Sequence, residues 1–318
     1  MNTLTIHGTL DVAQFWPRGN SDADTAKVSL DGIVRPFRFK RDGQKEIVTH
    51  VFDAATVRGA VGATSVVKNG AIDVRLQAID APELHYKPQK YRQAFGESAA
   101  AALGALVAGT GKAVLSCRVV THVDSPNEVC DMFGRVVGEI IVRLGRRSVN
   151  LNEWAAREGW AFPAFYTSMS PAEIAHYTRL TEKARAAKKN IWRGDTPQTG
   201  PFDPGLREGK PGSTAASDVV LDAGPVIWPK YFRRLVDWKT DPKTTAPTLA
   251  AYLRGRAAER FVATEEFVAQ GGAVALQKSL ADGLDAADRM TLAPKDFVVV
   301  EKASTLYAAD GQTKVTAW

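Results

Sequence analysis

The stretch RLQAIDAPELHY, from Arg75 to Tyr86, places an arginine five residues before an aspartate and then adds a proline and a glutamate. The apolar residues that precede Asp80 predict a short strand, and Pro82 predicts that this strand stops at a turn. Arg75, Asp80 and Glu83 are therefore expected to lie close together at one strand end. An aspartate that caps a turn would explain the stretch taken alone, so its meaning depends on the rest of the chain.

Length and composition place the chain among water-soluble proteins of one to three domains. A length of 318 residues allows one to three domains, and 45% hydrophobic residues are enough for a core. Cys117 and Cys130 are too few for a disulfide framework, and the start MNTLTIHGTL lacks the features of a signal peptide. We expect a reduced, cytoplasmic protein without a membrane span, because no apolar run reaches about 18 residues.

The excess of positive charge lies in the first part of the chain. Residues 1–195 hold 26 Lys and Arg against 20 Asp and Glu, a net of +6. The remainder holds 15 of each (41 − 26 and 35 − 20), a net of zero. This part is the one that would attract a polyanion such as DNA or RNA.

The order of elements predicts an α+β fold with a five-stranded barrel of the OB type and three helices. Strand-like runs precede the helical stretch QAFGESAAAALGALVAG, two more follow it, and two further helices close the segment. The last helix is predicted to begin after Ser170, with Pro171 in its first turn. We predict a domain over 1–195 with an insertion at about 31–70, a linker at 196–218 and a C-terminal α+β region at 219–318.

Four ordered motifs give the first 195 residues a resemblance to a known family. RLQAIDAPE, DMFGRVVGEI, LNEWAAREGWAFP and EKARAAKKNIWRGD follow one another at the spacing of the staphylococcal-nuclease-like, or thermonuclease, family. The resemblance implies a calcium-dependent phosphodiesterase that cleaves DNA and RNA to leave a 3′-phosphate. It further implies that Arg75, Glu83 and Arg135 are the catalytic residues.

The family pattern includes another aspartate before the Arg75 strand, as a metal ligand, and two places compete for it. GNSDADTAKV offers Asp24 but requires an insertion of about 40 residues, whereas HVFDAATV lies nearer and has Ala55 at the ligand position. A long surface insertion costs little loop entropy, but a missing ligand is a chemical loss. We therefore expect Asp24, Asp80 and the carbonyl of Ala81 to hold Ca²⁺, while the Ala55 alternative would leave a defective site.

The roles implied by the resemblance follow from the chemistry of each side chain. The ion would polarise a phosphate oxygen and orient the attacking water, and Glu83 would accept the proton of that water. Arg75 and Arg135 would bind the phosphate, because a guanidinium can bond two phosphate oxygens at once.

Aromatic and basic residues nearby are expected to contact the nucleotide. Phe133 replaces a tyrosine that many relatives have, and Phe165 or the adjacent Tyr166 would stack on a base. Lys87 and Lys90 would steer the phosphate backbone, although solvated charges in a loop would give the same pattern.

These observations favour a nuclease over other classes of enzyme. The five histidines lack the spacing of a zinc site, and the chain has neither a Gly-rich phosphate loop nor a GxSxG motif. The alternative is a catalytically inactive barrel that binds nucleic acid or protein. The C-terminal region is expected to serve docking of a protein partner or of the substrate.

Overall fold

A computed structural model of the chain describes residues 3–30, 36–42, 48–53, 55–59, 62–88, 91–122, 125–193, 207–208, 226–255, 259–274, 276–301, 304–308 and 310–316.

The chain up to residue 208 contains sixteen strands and three α-helices among the described residues. The strands are β1 (Thr3–Asp11), β2 (Thr25–Leu30), β3 (Pro36–Asp42), β4 (Val48–Asp53), β5 (Thr56–Gly59), β6 (Gly62–Ser65), β7 (Val67–Lys68), β8 (Ala71–Leu76), β9 (Ile79–Asp80), β10 (Tyr91–Arg92), β11 (Val114–His122), β12 (Val136–Leu144), β13 (Arg147–Asn150), β14 (Phe162–Pro163), β15 (Phe165–Tyr166) and β16 (Arg207–Glu208). The helices are α1 (Gly96–Ala108), α2 (Leu151–Glu158) and α3 (Pro171–Ala186).

The C-terminal part contains three helices and four short strands among the described residues. They are α4 (Pro229–Thr240), α5 (Leu249–Gly255), β17 (Arg260–Ala263), α6 (Thr264–Ala269), β18 (Lys278–Ser279), β19 (Phe297–Val299) and β20 (Thr305–Tyr307).

Five strands close into a barrel. They pair in the order β1, β2, β8, β12 and β11, and β11 pairs back with β1. All of these pairings are antiparallel except that of β8 with β12, which is parallel. The predicted α+β fold with a five-stranded OB-type barrel and three helices is confirmed.

Alternating side chains explain why these strands form a barrel with a packed interior. In β11, every second residue from Leu115 to Thr121 is buried, and β12 alternates in the same way from Val136 to Val142. Because side chains in a strand point to opposite faces in turn, this period of two supplies one apolar face to the barrel core. The interior is thus filled mainly by Val, Ile and Leu.

Capping residues fix where the helices begin. Ser170 and Glu173 form a capping box at the start of α3, in which each side chain bonds the other residue's backbone N–H. The side chain of Asn150 accepts from two backbone N–H groups in the first turn of α2. The prediction that a helix begins after Ser170 is confirmed.

The predicted insertion forms two hairpins. The first, of β3 and β4, extends the sheet from the edge of β1. The second, of β5 and β6, pairs with β20 from the C-terminal part. The insertion therefore touches both the barrel and the end of the chain.

The C-terminal part shares sheets and cores with the barrel. Strand β19 pairs in parallel with β15, and a second core cluster combines Phe162 and Trp192 with Trp228 and Phe232. Within the predicted linker the described residues are Arg207 and Glu208, which pair with β10. The remainder of that linker lies outside the described residues, and the division into domains stays a prediction.

Two further findings bear on the expectations from composition. In the described part of the chain, no helix combines the length and apolarity needed to cross a membrane. Cys117 and Cys130 are both buried, and neither forms a disulfide.

Candidate active site

The candidate site lies where β8 ends and β9 begins. Thr25 of β2 pairs with Arg75 of β8, and the backbone carbonyl of Asp24 accepts from the N–H of Leu76 at 2.8 Å. This register brings Asp24 to the strand end at which Asp80 follows. Asp80 is almost fully buried, and its backbone pairs with Phe162 of β14.

Asp24 contacts the turn that carries the predicted calcium ligands. One carboxylate oxygen accepts from the backbone N–H of Ala81 at 3.3 Å, and the other accepts from the hydroxyl of Thr25 at 3.2 Å. Burial, and then the charges of Asp80 and Asp22, raise the pKa of Asp24 to about 6. A buried carboxyl with two acidic neighbours favours a nearby cation.

Ala55 occupies a different environment from Asp24. Its side chain is fully buried in the barrel core, and its carbonyl accepts from the N–H of Val66 at 3.0 Å. It thus belongs to the base of the β5–β6 hairpin. The contact with Ala81 is made by Asp24.

Two hydrogen bonds to Gln93 hold the backbone of Glu83. Its N–H donates to the side chain of Gln93 at 3.0 Å, and its carbonyl accepts from the N–H of Gln93 at 2.9 Å. Gly96, at the start of α1, approaches the Glu83 carbonyl so closely that a Cβ there would lie 2.5 Å from the oxygen. The backbone of Glu83 and the first residue of α1 are therefore packed closely against each other.

The pKa of Glu83 is raised to about 8. Burial is the largest cause, and the charges of Asp22, Asp24 and Asp80 act in the same direction against the opposing effect of Arg233. A raised pKa makes the ionised form of a carboxyl a stronger base toward the proton of a water molecule.

A guanidinium from the C-terminal part lies between the two central carboxylates. Arg233 of α4 donates through Nη1 to Oδ1 of Asp80 at 3.2 Å and through Nη2 to Oδ2 at 3.1 Å. The same Nη1 atom donates to Oε1 of Glu83. Asp80 and Glu83 therefore converge on a single cationic nitrogen.

Arg75 and Tyr166 form one unit beside these carboxylates. The guanidinium of Arg75 donates to the hydroxyl of Tyr166, and its Cζ lies 4.4 Å from the centre of that ring. The ammonium of Lys230 lies 5.4 Å from the same ring centre. Although burial opposes the change, Arg75 and Lys230 lower the pKa of Tyr166.

The other aromatic residue proposed for base stacking is buried. Phe165 is fully enclosed in the barrel core, and its backbone pairs with Val298 of β19. A stacking role for Phe165 does not fit this position, because its ring has no exposed face. Tyr166 is the aromatic side chain that lies at the site.

Arg135 lies on the other side of Asp24. It contacts Asp131 through Nε and Nη2, each at 2.8 Å, and its Nη1 lies 3.4 Å from the hydroxyl of Thr25. Phe133, in the turn before it, is 51% exposed, and the Cζ of Arg135 lies 5.6 Å from its ring centre. An exposed ring next to a guanidinium forms a surface on which a base can stack.

Lys87, one of the two lysines predicted to steer the phosphate backbone, contacts α4 instead of standing free in solvent. Lys87 donates to Asp237 and to Thr240 of α4, each at 2.9 Å. Its ammonium thus helps to hold α4 against the loop. Lys90 lies outside the described residues, and its proposed role stays a prediction.

The carboxylate oxygens of the site suit a hard cation such as calcium, but in the structure Arg233 contacts those of Asp80. Asp80 supplies a buried carboxylate and Asp24 a half-buried one, and carboxylates are the ligands that calcium prefers. Within the described ranges, no three His, Cys, Asp or Glu side chains are arranged to hold a metal ion. The guanidinium of Arg233 thus lies between Asp80 and Glu83, two of the carboxylates predicted to surround the cation.

Sequence reasoning missed Arg233, Lys230 and Asp22. The first two lie in the helical stretch WPKYFRRLVDWK, where neighbouring Lys and Arg residues indicate only a charged helix face. No local pattern shows that a residue 150 positions away contacts Glu83. Asp22 was visible in SDADT beside Asp24, and its proximity could have indicated a third acid at the site.

Comparison with known proteins finds a family match in the middle of the chain. A family model described as staphylococcal nuclease homologue matches residues 73–194. The match includes Arg75, Asp80, Glu83 and Arg135, whereas Asp24 lies before it and Arg233 after it. No curated protein matches the chain.

Proposed function

Because residues 73–194 form a staphylococcal-nuclease-like domain, we propose that this protein is a calcium-dependent phosphodiesterase that hydrolyses DNA and RNA with little sequence specificity. One observation carries the proposal, which is the convergence of Asp80 and Glu83 on a single cation position. Asp24 and Arg75 interact electrostatically with Asp80, and Arg135 with Asp24, which supports the roles that the family resemblance implies for them.

The protein's own groups divide the chemistry between them. Asp24, Asp80 and the carbonyl of Ala81 would hold calcium, which supplies positive charge to polarise a phosphate oxygen and to orient water. Glu83 accepts the proton of the attacking water, and its raised pKa makes the ionised carboxylate a stronger base for that step.

The two arginines bind the phosphate in this proposal. A guanidinium has five N–H donors, so the contacts of Arg75 with Tyr166 and of Arg135 with Asp131 and Thr25 leave donors for phosphate oxygens. Tyr166 and Phe133 offer ring faces to neighbouring bases. Because stacking tolerates every base, little sequence specificity is expected.

Cleavage of single-stranded DNA and RNA, with calcium or with a chelator, tests this function. Glu83→Gln removes the base and should lower the rate by about 10² to 10⁴. Arg75→Met removes a phosphate ligand and should lower it by about 10³ or more. Asp24→Ala should abolish the response to calcium. Asp53→Ala, which changes the aspartate of the competing stretch HVFDAATV, should retain it.

A non-catalytic barrel that binds nucleic acid is the second candidate, and the position of Arg233 favours it. A guanidinium that stayed on Asp80 and Glu83 would block both the metal and the base. Well-folded wild-type protein that binds single-stranded DNA but does not cleave it at any calcium concentration would establish this alternative.

A further inference from the structure

The guanidinium of Arg233 takes the place that a metal would need in the proposed site. It contacts both carboxylate oxygens of Asp80 and one of Glu83. Its side chain is 20% exposed, whereas that of Asp80 is 2% exposed. Arg233 thus covers Asp80 on the solvent side.

The helix that carries Arg233 is fixed in the protein. Tyr231, Phe232 and Val236 of α4 are buried in the second core cluster, and Trp228, before the helix, stacks on Phe297 with ring centres 5.3 Å apart. Burying each large apolar side chain stabilises the fold by about 1.5 to 3 kcal/mol, so removal of the whole helix is costly.

Ion pairs fix α4 on its polar side as well. Arg234 contacts Glu259 through two nitrogens, each at 2.8 Å, and Asp237 at 2.9 Å. Lys230 contacts Glu259 at 3.1 Å, and Asp237 in turn accepts from Lys87. These contacts hold α4 in place beside the site. The cation position would therefore open by rotation of the Arg233 side chain and not by movement of the helix.

The charges explain why another cation would replace the arginine. One guanidinium faces Asp80 and Glu83, while Asp24 is held by neutral groups of Thr25 and Ala81. A divalent ion brings two positive charges and accepts oxygen ligands from several sides, so it can engage Asp24 and Asp80 together. Arg233 cannot stay bonded to both Asp80 oxygens when an ion binds them.

We infer that Arg233 is a positioning residue of this site, which holds Asp80 and Glu83 in the absence of metal and competes directly with calcium for them. The inference rests on the proposed function and adds its regulation. Calcium then serves two purposes, because it completes the site and also frees Glu83 from the guanidinium. The C-terminal part thereby sets the calcium concentration at which the nuclease becomes active.

Calcium affinity of the full-length protein, measured by isothermal titration calorimetry, tests the competition. If Arg233 occupies the site at least 90% of the time, apparent affinity is reduced at least about tenfold, so Arg233→Met should bind calcium about tenfold more tightly. Arg233→Lys keeps a single charge without the two-nitrogen contact and should fall between the two. Arg254→Met, a change at an arginine of α5 that is 61% exposed and pairs with Asp282 away from the site, should leave the affinity as in wild type.

Thermal unfolding of the same variants supplies an independent readout. Without calcium, Arg233→Met should unfold at a lower temperature than wild type, because Asp80 and Glu83 lose their partner. Saturating calcium should raise its melting temperature more than that of wild type, since a ligand stabilises the folded state in proportion to the logarithm of its concentration over its Kd.

The outcomes separate this inference from the proposed function. Equal calcium affinity in wild type, Arg233→Met and Arg233→Lys, with cleavage retained, would overturn the inference and leave the nuclease proposal standing. Weaker binding in Arg233→Met would also overturn it, since it would make the arginine a supporter of the metal. Absence of calcium binding in every variant would overturn the inference and the proposed function together.

Discussion

At the scale of single residues, the site is defined by how tightly its neighbours approach. Glu83 is positioned by Gln93 and by the absence of a side chain at Gly96. Asp24 is positioned by the N–H of Ala81. The chemistry therefore depends on residues that carry no charge of their own.

Gly96→Ala tests this dependence. The new Cβ would lie 2.5 Å from the carbonyl oxygen of Glu83, so the turn must shift. We expect a loss of about 1 to 3 kcal/mol in the free energy of unfolding, as for other overpacked sites, together with a large fall in cleavage rate. Denaturant unfolding and single-stranded DNA cleavage would measure both.

Ala99→Gly, in the next turn of α1, is the control for Gly96→Ala. It also destabilises α1 but leaves the Glu83 carbonyl untouched, so it should retain cleavage. Equal activity of Gly96→Ala and wild type would show that the close approach does not position Glu83.

The residues of the site were predictable to different degrees. Arg75, Asp80, Glu83 and Arg135 stand in the motifs that carry the family resemblance, so the sequence alone indicates them as candidates. Asp24 required a choice between two places, because an insertion separates it from Arg75. Phe165 and Tyr166 are adjacent, and the composition of the stretch does not reveal that the parallel pairing with β19 buries the first of them.

At the scale of secondary-structure elements, α4 lies outside the residues that match the family model and yet reaches the candidate site. It brings Arg233 to the carboxylates and Lys230 to Tyr166, and Glu259 anchors it through Lys230 and Arg234. Its helical character was predictable from the sequence, whereas its docking surface was not, because the helix packs on residues far away in the chain.

The anchoring of α4 makes a prediction about pH. Although burial opposes the change, Lys230 and Arg234 lower the pKa of Glu259 well below its ordinary value of 4.5. A carboxyl with a depressed folded-state pKa stabilises the protein above the unfolded-state pKa, and this stabilisation is lost as the pH falls through the folded-state value.

Glu259→Gln should therefore be less stable than wild type at pH 7, and the difference should shrink steadily below about pH 4.5. Urea unfolding at several pH values between 7 and 3 would measure the difference. A difference that stays constant over this range would contradict the ion-pair account of α4.

At the scale of the whole molecule, the barrel and the C-terminal part are built together. Strand β20 pairs with β5, and β19 pairs with β15. Aromatic residues of both parts also share one core cluster. Composition and turn signals predict a linker at 196–218, but they do not report how strongly the two flanking parts pack. Long-range pairing of this kind leaves no local pattern in the sequence.

Truncation after residue 195 tests the consequence of this packing. The shortened chain would expose Phe162, Trp192 and Tyr91, which the full chain buries. We expect it to unfold at a markedly lower temperature and to aggregate, because each exposed aromatic side chain forfeits about 1.5 to 3 kcal/mol of burial. A truncated protein as stable as the full chain would show that the two parts are independent.

A crystal structure of the full chain with bound calcium tests the central claim most directly. The account predicts an ion held by Asp24, Asp80 and the carbonyl of Ala81, with the Arg233 guanidinium turned away from Asp80 and Glu83 free to accept a proton. A structure in saturating calcium that shows Arg233 still on Asp80 and Glu83, with no ion beside Asp24, would contradict it.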